Sequence, residues 1–390
     1  MTKGALLLTC KPYRPGSGLS MSSLDRDGHA DQIAAALSAT EGATVIRLGI
    51  VGCNYGRTVH LPAFRLDPRC EVTALAGSDR ARTAELARQS GIAGAFGDWM
   101  EMIERADIDA VAIATPPRLQ PEIAIAALQR GKPVFVEKPM AADLAGAAAM
   151  LRAAGRTPTA IDYNFTEVMA WRKAKAMIDD GAIGRLRHVF VTWNVENETT
   201  RRWLKNWKTS VGGGGGALGN FVSHSVHYLE WFCGPIAGFS SRLSGLPEDP
   251  AMETTVAATL AFASGAAGSF AMSCASYLGS GHRLEFYGDD GTLVLANPTT
   301  DYMRGFTLAH ASRAAAALTP VAVEADPLDR FPDGRIAPVA RLAARFLDGI
   351  EQRRKIPPGF AEGHRAQTLL DAMRRSHEQG RWVELSGAAA

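Results

Sequence analysis

Cysteine is scarce in this sequence and poorly placed for structural use. The five residues, Cys10, Cys53, Cys70, Cys233 and Cys274, are odd in number, far apart and never spaced as C-x-x-C. That pattern excludes a disulfide framework and a structural zinc site, proposes no metal ligands, and suits a reducing, cytoplasmic setting. Uncharged apolar runs of about eighteen residues are lacking too, so no membrane span is predicted. No charge of one sign dominates: 42 Lys and Arg stand against 40 Asp and Glu, a formal balance of +2. The basic surplus that neutralises nucleic-acid phosphates is therefore missing. Internal repeats are missing as well. What remains is a chain of 390 residues, 46% hydrophobic and 21% charged. Such a composition describes a globular protein of about two domains with a substantial core.

The N-terminal segment, residues 1–43, mixes KPYRPGSG, a second methionine at Met21 and one short helical piece, DQIAAALSA. It is read as an appended, poorly ordered arm. Its opening, MTKGALLLTC, is similar to a lipoprotein signal, but the apolar run is too short and Thr9 is a poor residue before a cleavage point. From Val45 the pattern changes. VIRLGIVG, EVTALAG, DAVAIAT, KPVFVEK and TAIDYN are short and rich in Val, Ile and Ala, as buried parallel strands are, and amphipathic helical stretches separate them. Strand and helix in alternation predict a doubly wound α/β dinucleotide-binding domain over 44–164. In the remainder, 165–390, LRHVFVTWNVE, IAGFSSRLSGL, ETTVAATLAFAS, AAGSFAMSCAS, HRLEFYG and GTLVLAN follow one another with turns between them. They predict an α+β domain with an open-faced, mostly antiparallel sheet.

The first strand runs into GIVGCNYGR, placing Gly52, Cys53, Asn54, Tyr55 and Gly56 at a strand-to-helix turn. A dinucleotide fingerprint needs glycines there so that backbone N–H groups can approach a pyrophosphate. Asn54 stands where the second glycine is expected, and asparagine tolerates left-handed backbone angles better than other side chains. The next strand end, TALAGSDRAR, offers Ser78, Asp79, Arg80 and Arg82. Asp79 could hold a free ribose, while a hydroxyl followed by arginines would accept a 2'-phosphate, so the cofactor reads as NADP or NAD.

A second stretch, GALGNFVSHSVHYLEW, follows five glycines and puts Asn220, His224 and His227 on one helical face. By itself that face can be a site or a plain surface. Trp193, Trp203, Trp207 and Trp231 lie in neighbouring segments, suited either to stacking on a ring substrate or to packing an interface.

At VFVEKPM the sequence resembles the Gfo/Idh/MocA family, glucose-fructose oxidoreductase and inositol dehydrogenase among them. The resemblance runs from Val45 to Leu385 through GIVGCNYGRTVHLPAF, TPPRLQPEIAIAAL, GKPVFVEKP, DDGAIGRLRHV, the glycine run, HRLEFYGDDGTLVL and SHEQGRWVEL. It implies a Rossmann domain and a sheet domain with the active site between them. Thr115, Pro116, Glu137 and Lys138 would then join the cofactor site, with Lys138 beside the reacting oxygen, and Asn164, Trp193, Trp207, Asn220, His224 and His227 would face the substrate. The family's proton-shuttling aspartate and histidine fall on Asn220 and His224, so the acid is replaced by an amide. Gln120 stands where a histidine is common, Thr166 where an arginine is, and His227 where a second aspartate often is. The implied activity is hydride transfer between nicotinamide and a secondary alcohol or carbonyl of a sugar, cyclitol or related ring. The alternatives are an NAD-retaining glycoside hydrolase or lyase and a nucleotide-binding regulatory protein. A homodimer or homotetramer through the open sheet face is also expected, because AATLAFA and AGSFAMSCA read as apolar on both faces.

Overall fold

The computed structural model describes residues 45–385 apart from 203 and 248, so the expected N-terminal arm over 1–43 lies outside the described residues. Six parallel strands form the first sheet: β1 (Ile46–Val51), β2 (Cys70–Ala76), β3 (Gly94–Phe96), β4 (Ala110–Ile113), β5 (Val134–Val136) and β6 (Thr159–Ile161). Their order is β3-β2-β1-β4-β5-β6. Every residue of β4, β5 and β6 is buried, as expected of strands covered on both faces. Helices α1 (Leu61–Phe64), α2 (Arg80–Gln89), α3 (Trp99–Arg105), α4 (Gln120–Gln129) and α5 (Leu144–Ala154) make the crossovers. Three of them start on aspartates whose carboxylates accept first-turn N–H groups: Asp79 from Arg82, Asp98 from Met100 and Asp143 from Gly146.

After α6 (Met169–Asp179) the chain enters a nine-stranded sheet. Its strands are β7 (Leu186–Asn194), β8 (Ile236–Leu246), β9 (Asp249–Phe262), β10 (Ala267–Ser273), β11 (Gly281–Gly288), β12 (Gly291–Asn297), β13 (Thr307–Ser312), β14 (Thr319–Val321) and β15 (Val383–Glu384). The order is β14-β13-β12-β11-β7-β10-β9-β8-β15, and among the described residues only β7 and β10 pair in parallel. Helices α7 (Glu198–Arg201) and α8 (Ser223–Cys233) precede β8, and α9 (Ile336–Glu351) and α10 (Phe360–Gln379) follow β14.

Two expectations change. The linear boundary after 164 gives α9 to the second domain, whereas Ile336, Val339, Leu342, Ala343, Phe346 and Leu347 pack into one core with Leu48, Phe64 and Phe135 of the first sheet. An amphipathic helix goes to whichever apolar face lies uncovered, wherever its sequence position falls. The open face of the second sheet is also less apolar than it reads. In AATLAFA and AGSFAMSCA the bulky Leu260, Phe262, Phe270 and Met272 are all buried. Their alternating neighbours on the other face are alanine, serine and threonine.

Candidate active site

The strand order reverses between β1 and β4, and the crevice beyond their C-terminal ends is where such sheets bind ligands. Gly52 lines it with φ +120°, and a Cβ there would collide with the Ala114 carbonyl, so no other residue fits this turn. Tyr55 already has helical angles, and the chain coils through Gly56–His60 into α1. The amides that open this coil have no preceding turn to bond. Across the crevice the Thr115 hydroxyl is buried without a partner among the described residues. A turn of bare amides facing an unpartnered hydroxyl fits a nicotinamide dinucleotide. At the far end Ser78, Asp79, Arg80 and Arg82 are all exposed, with the Asp79 carboxylate engaged as the α2 cap. Cys53 turns its sulfur toward the Thr83 hydroxyl, 3.7 Å away.

Glu137 and Lys138 follow β5. Their loop is held from below by Gln120, fully buried, whose Nε2 donates to the carbonyls of Glu137 at 3.0 Å, Pro139 at 2.7 Å and Met140 at 3.3 Å. The Gln120 side chain therefore anchors this loop. Lys138 Nζ donates to the backbone carbonyl of Asn220 at 2.9 Å, joining this loop to the glycine-rich segment of the second domain. Burial lowers the lysine's pKa, and Lys208 and Arg335 add to that, while Glu137 and Asp162 oppose it.

Asn220 is half-buried, and its amide N–H group donates to the carbonyls of Gly216 at 3.1 Å and Lys208 at 3.2 Å. One turn on, His224 is buried with its Nδ1 unpartnered among the described residues. Burial drives its pKa well below the ordinary value, and the charge of Lys138 drives it further, so the ring is neutral at neutral pH. His227 parts company with this pair. It stacks on Tyr163 at 4.1 Å and lines a separate cavity of about 670 Å³ between α8 and α10, a cavity whose walls include neither Lys138 nor His224. The face shared on paper is split by Tyr163, which meets His224 from the other side at 6.1 Å.

Of the tryptophans, Trp193 is corrected to a core residue. It is 2% exposed and stacks on His282 at 4.3 Å, so substrate cannot reach it. Trp231 lines the separate cavity, Trp207 sits half-buried beside the glycine run, and Trp203 lies outside the described residues. Asn164 is buried, its Oδ1 unpartnered among the described residues.

Sequence reasoning missed a buried cluster that includes Glu137. His60 Nε2 lies 2.8 Å from Glu137 Oε1 and 3.8 Å from Asp162 Oδ2, and the Tyr55 hydroxyl donates to Asp162 at 3.2 Å. His60 and Asp162 stand in the quoted motifs VHLPAF and TAIDYN, and an aspartate ending a strand of the buried parallel sheet was the available signal.

A Rossmann crevice with an ammonium and a neutral imidazole beside it defines a dinucleotide-binding oxidoreductase. The Gfo/Idh/MocA model, an oxidoreductase family with an NAD-binding Rossmann fold, matches residues 46–165, and that family's C-terminal domain model matches 171–294. The chain belongs to the Gfo/Idh/MocA oxidoreductase family. An uncharacterized oxidoreductase of Synechocystis sp. is 29% identical over 355 residues, covering 87% of this chain and 95% of that protein. Levoglucosan dehydrogenase of Pseudarthrobacter phenanthrenivorans is 25% identical over 394 residues, 88% of this chain and 99% of that one. A solved structure of levoglucosan dehydrogenase in complex with NADH and levoglucosan matches with a TM-score of 0.77 at 24% identity, covering 87% of this chain and 99% of that one.

Proposed function

We propose that this oxidoreductase interconverts a secondary alcohol and a carbonyl on a sugar, cyclitol or related ring. The observation that carries the reading is the Lys138 bond to the Asn220 carbonyl, which brings a lysine ammonium and the His224 ring, one turn further on, into one site. A bound nicotinamide dinucleotide would supply or accept the hydride. Lys138 would donate a charge-assisted hydrogen bond to the reacting oxygen, and His224, neutral and partly unpartnered, would take the hydroxyl proton during oxidation. The levoglucosan dehydrogenase relative, named for an anhydrosugar, supports the ring-shaped substrate.

The turn from Gly52 to Gly56 and Thr115 would hold the cofactor, with Ser78, Asp79, Arg80 and Arg82 at its adenosine end. Because the Asp79 carboxylate already caps α2 and two arginines follow it, NADP should bind at least as well as NAD. The same reading includes self-association through the open sheet face and a reducing cytoplasmic setting. A screen of sugars and cyclitols with each cofactor, followed by nicotinamide absorbance, tests the activity. Net oxidation or reduction is expected. Bond cleavage without net cofactor turnover, or nucleotide binding with no reaction, would replace the reading with a hydrolase or a regulatory protein. Titration with both reduced cofactors tests the preference, and a clear choice of NAD that Asp79→Ala abolishes would refute it.

A further inference from the structure

Residues 322–335 run from β14 to α9 without forming a helix or strand. A connection of that length with no element of its own is uncommon in a compact domain and usually serves a site. This one crosses from the second sheet back to the first. Leu328 and Phe331 pack on the first domain's core together with Cys53 and Tyr55 of the nucleotide turn. Carboxylates and one carbonyl tie the segment down along its length. Asp326 accepts from Arg341, Asp329 accepts from Arg304 Nε at 2.8 Å, and the Pro332 carbonyl accepts from Arg304 Nη1 at 2.9 Å. The segment is therefore a fastened strap, and its last residue, Arg335, has a fixed place.

That place is over the nucleotide turn. The Arg335 guanidinium lies 5.0 Å from the centre of the Tyr55 ring, a cation–π contact. Tyr55 belongs to the turn by its backbone, and its hydroxyl donates at 3.2 Å to Asp162, just after β6. The ring thus leads from the turn into the half of the crevice formed by β4, β5 and β6, the half that carries Lys138. Asp333 orients the guanidinium, accepting from Nε at 2.8 Å and from Nη2 at 2.5 Å. Nη1 has the Tyr302 hydroxyl at 3.5 Å, and the remaining N–H groups have no partner among the described residues. The side chain is 30% exposed, so these donors are open to a ligand. Other cations near the turn lie elsewhere. Arg57 lines a hollow with Arg65 and Ser90, which follow the C-terminal ends of α1 and α2, and Arg80 and Arg82 stand on the first turn of α2. A diphosphate brings full negative charge, for which the amides of the turn offer only partial positive charge. A guanidinium matches it, since its planar fork pairs phosphate oxygens two at a time.

We propose that Arg335 is a cofactor-binding residue supplied by the strap, donating to the diphosphate of the dinucleotide. The inference rests on the reading of the crevice as the cofactor site, and is independent of which substrate is used. Equilibrium binding tests it without turnover. NADH and NADPH are titrated into the whole protein by fluorescence, and ADP-ribose and AMP by displacement of the bound dinucleotide. In Arg335→Gln the dinucleotides and ADP-ribose should bind about tenfold more weakly or worse, whereas AMP, which lacks the diphosphate, should stay within about twofold. Arg335→Lys keeps the charge without the fork, so it should show a smaller loss with AMP again spared. It carries the test should Arg335→Gln fail to fold. Unchanged dinucleotide affinity in a folded variant would overturn the proposal and leave Arg335 a latch between the strap and Tyr55. An equal loss for AMP would overturn it as well, since the effect would then come from a distorted turn. Dinucleotide affinity that holds while KM rises for acidic ring substrates alone would give the guanidinium to the substrate instead. If the substrate screen fails while the binding losses are seen, the proposed reaction falls and the role of Arg335 stands. If the unmodified protein binds no dinucleotide, the cofactor reading falls and this role with it.

Discussion

Asn220 illustrates how one residue's role depends on its donors. Its amide N–H group closes the glycine run by bonding two carbonyls, which a carboxylate cannot do. Asn220→Asp should therefore destabilise the fold by about 1–3 kcal/mol, readable as a lower thermal midpoint. The new charge would also raise the His224 pKa and move the acid limb of an oxidation toward higher pH. Lys138→Ala and His224→Ala should each reduce kcat by on the order of a hundredfold while nucleotide affinity stays nearly unchanged. Asn220→Ala should cost less, because the amide only orients. Tolerance of His224→Ala alongside a dead Asn220→Ala would send the proton by another route.

At the scale of elements, the Lys138 loop owes its shape to α4. Gln120 opens that helix and donates to three carbonyls of the loop, so Gln120→Ala leaves buried acceptors unpaired. A loss of about 1–3 kcal/mol is expected, with kcat/KM reduced and the nucleotide still bound; unaltered kinetics in a destabilised variant would confine Gln120 to stability. The glycine run is equally constrained, since a Cβ on Gly219 would meet the Gly214 carbonyl. Elements differed in how legible they were. VIRLGIVG and DAVAIAT read correctly because a buried parallel strand is continuously apolar. The three-residue β3 and the short edge strands β14 and β15 went unread, because two or three residues carry no periodic signal.

For the whole molecule, the open face of the nine-stranded sheet matters most. Its apolar residues were expected on both faces, and two exposed aromatics stand on the central strand β7 and its neighbour β11. Phe190 is 42% exposed and Tyr287 39%, with His188 between them. An aromatic group in the middle of the open face, beside the Arg283–Glu285 pair, suits burial against a second copy. Sedimentation should find a dimer or tetramer at micromolar concentration, and Phe190→Arg should weaken it; a monomer in the unmodified protein would refute this. Acid stability is a second property of the whole. Burial holds His227 and His282 at pKa values of about 3, and His224 is lowered in the same way. The unfolded chain takes up protons on these rings below its ordinary 6.5, and the native protein does not. Their contribution is therefore present above that pH and lost as pH falls toward 3, by up to about 1.4 kcal/mol per pH unit for each ring. Thermal midpoints between pH 7.5 and 5 should fall accordingly, and less steeply in His282→Gln.

The order of strand and helix and the nucleotide turn were legible in local pattern, because periodicity and glycine placement are properties of neighbouring residues, and the proposed pair Lys138 and His224 was read from short motifs shared with the family. The rest depended on residues far apart in sequence. Only the fold set α9 against the first sheet, buried Trp193, separated His227 from His224 across Tyr163, and brought His60, Glu137 and Asp162 together. The charge state of a group such as Lys138 follows from desolvation and from charges within a few ångströms, and those distances exist only once the two sheets and the helices between them have packed.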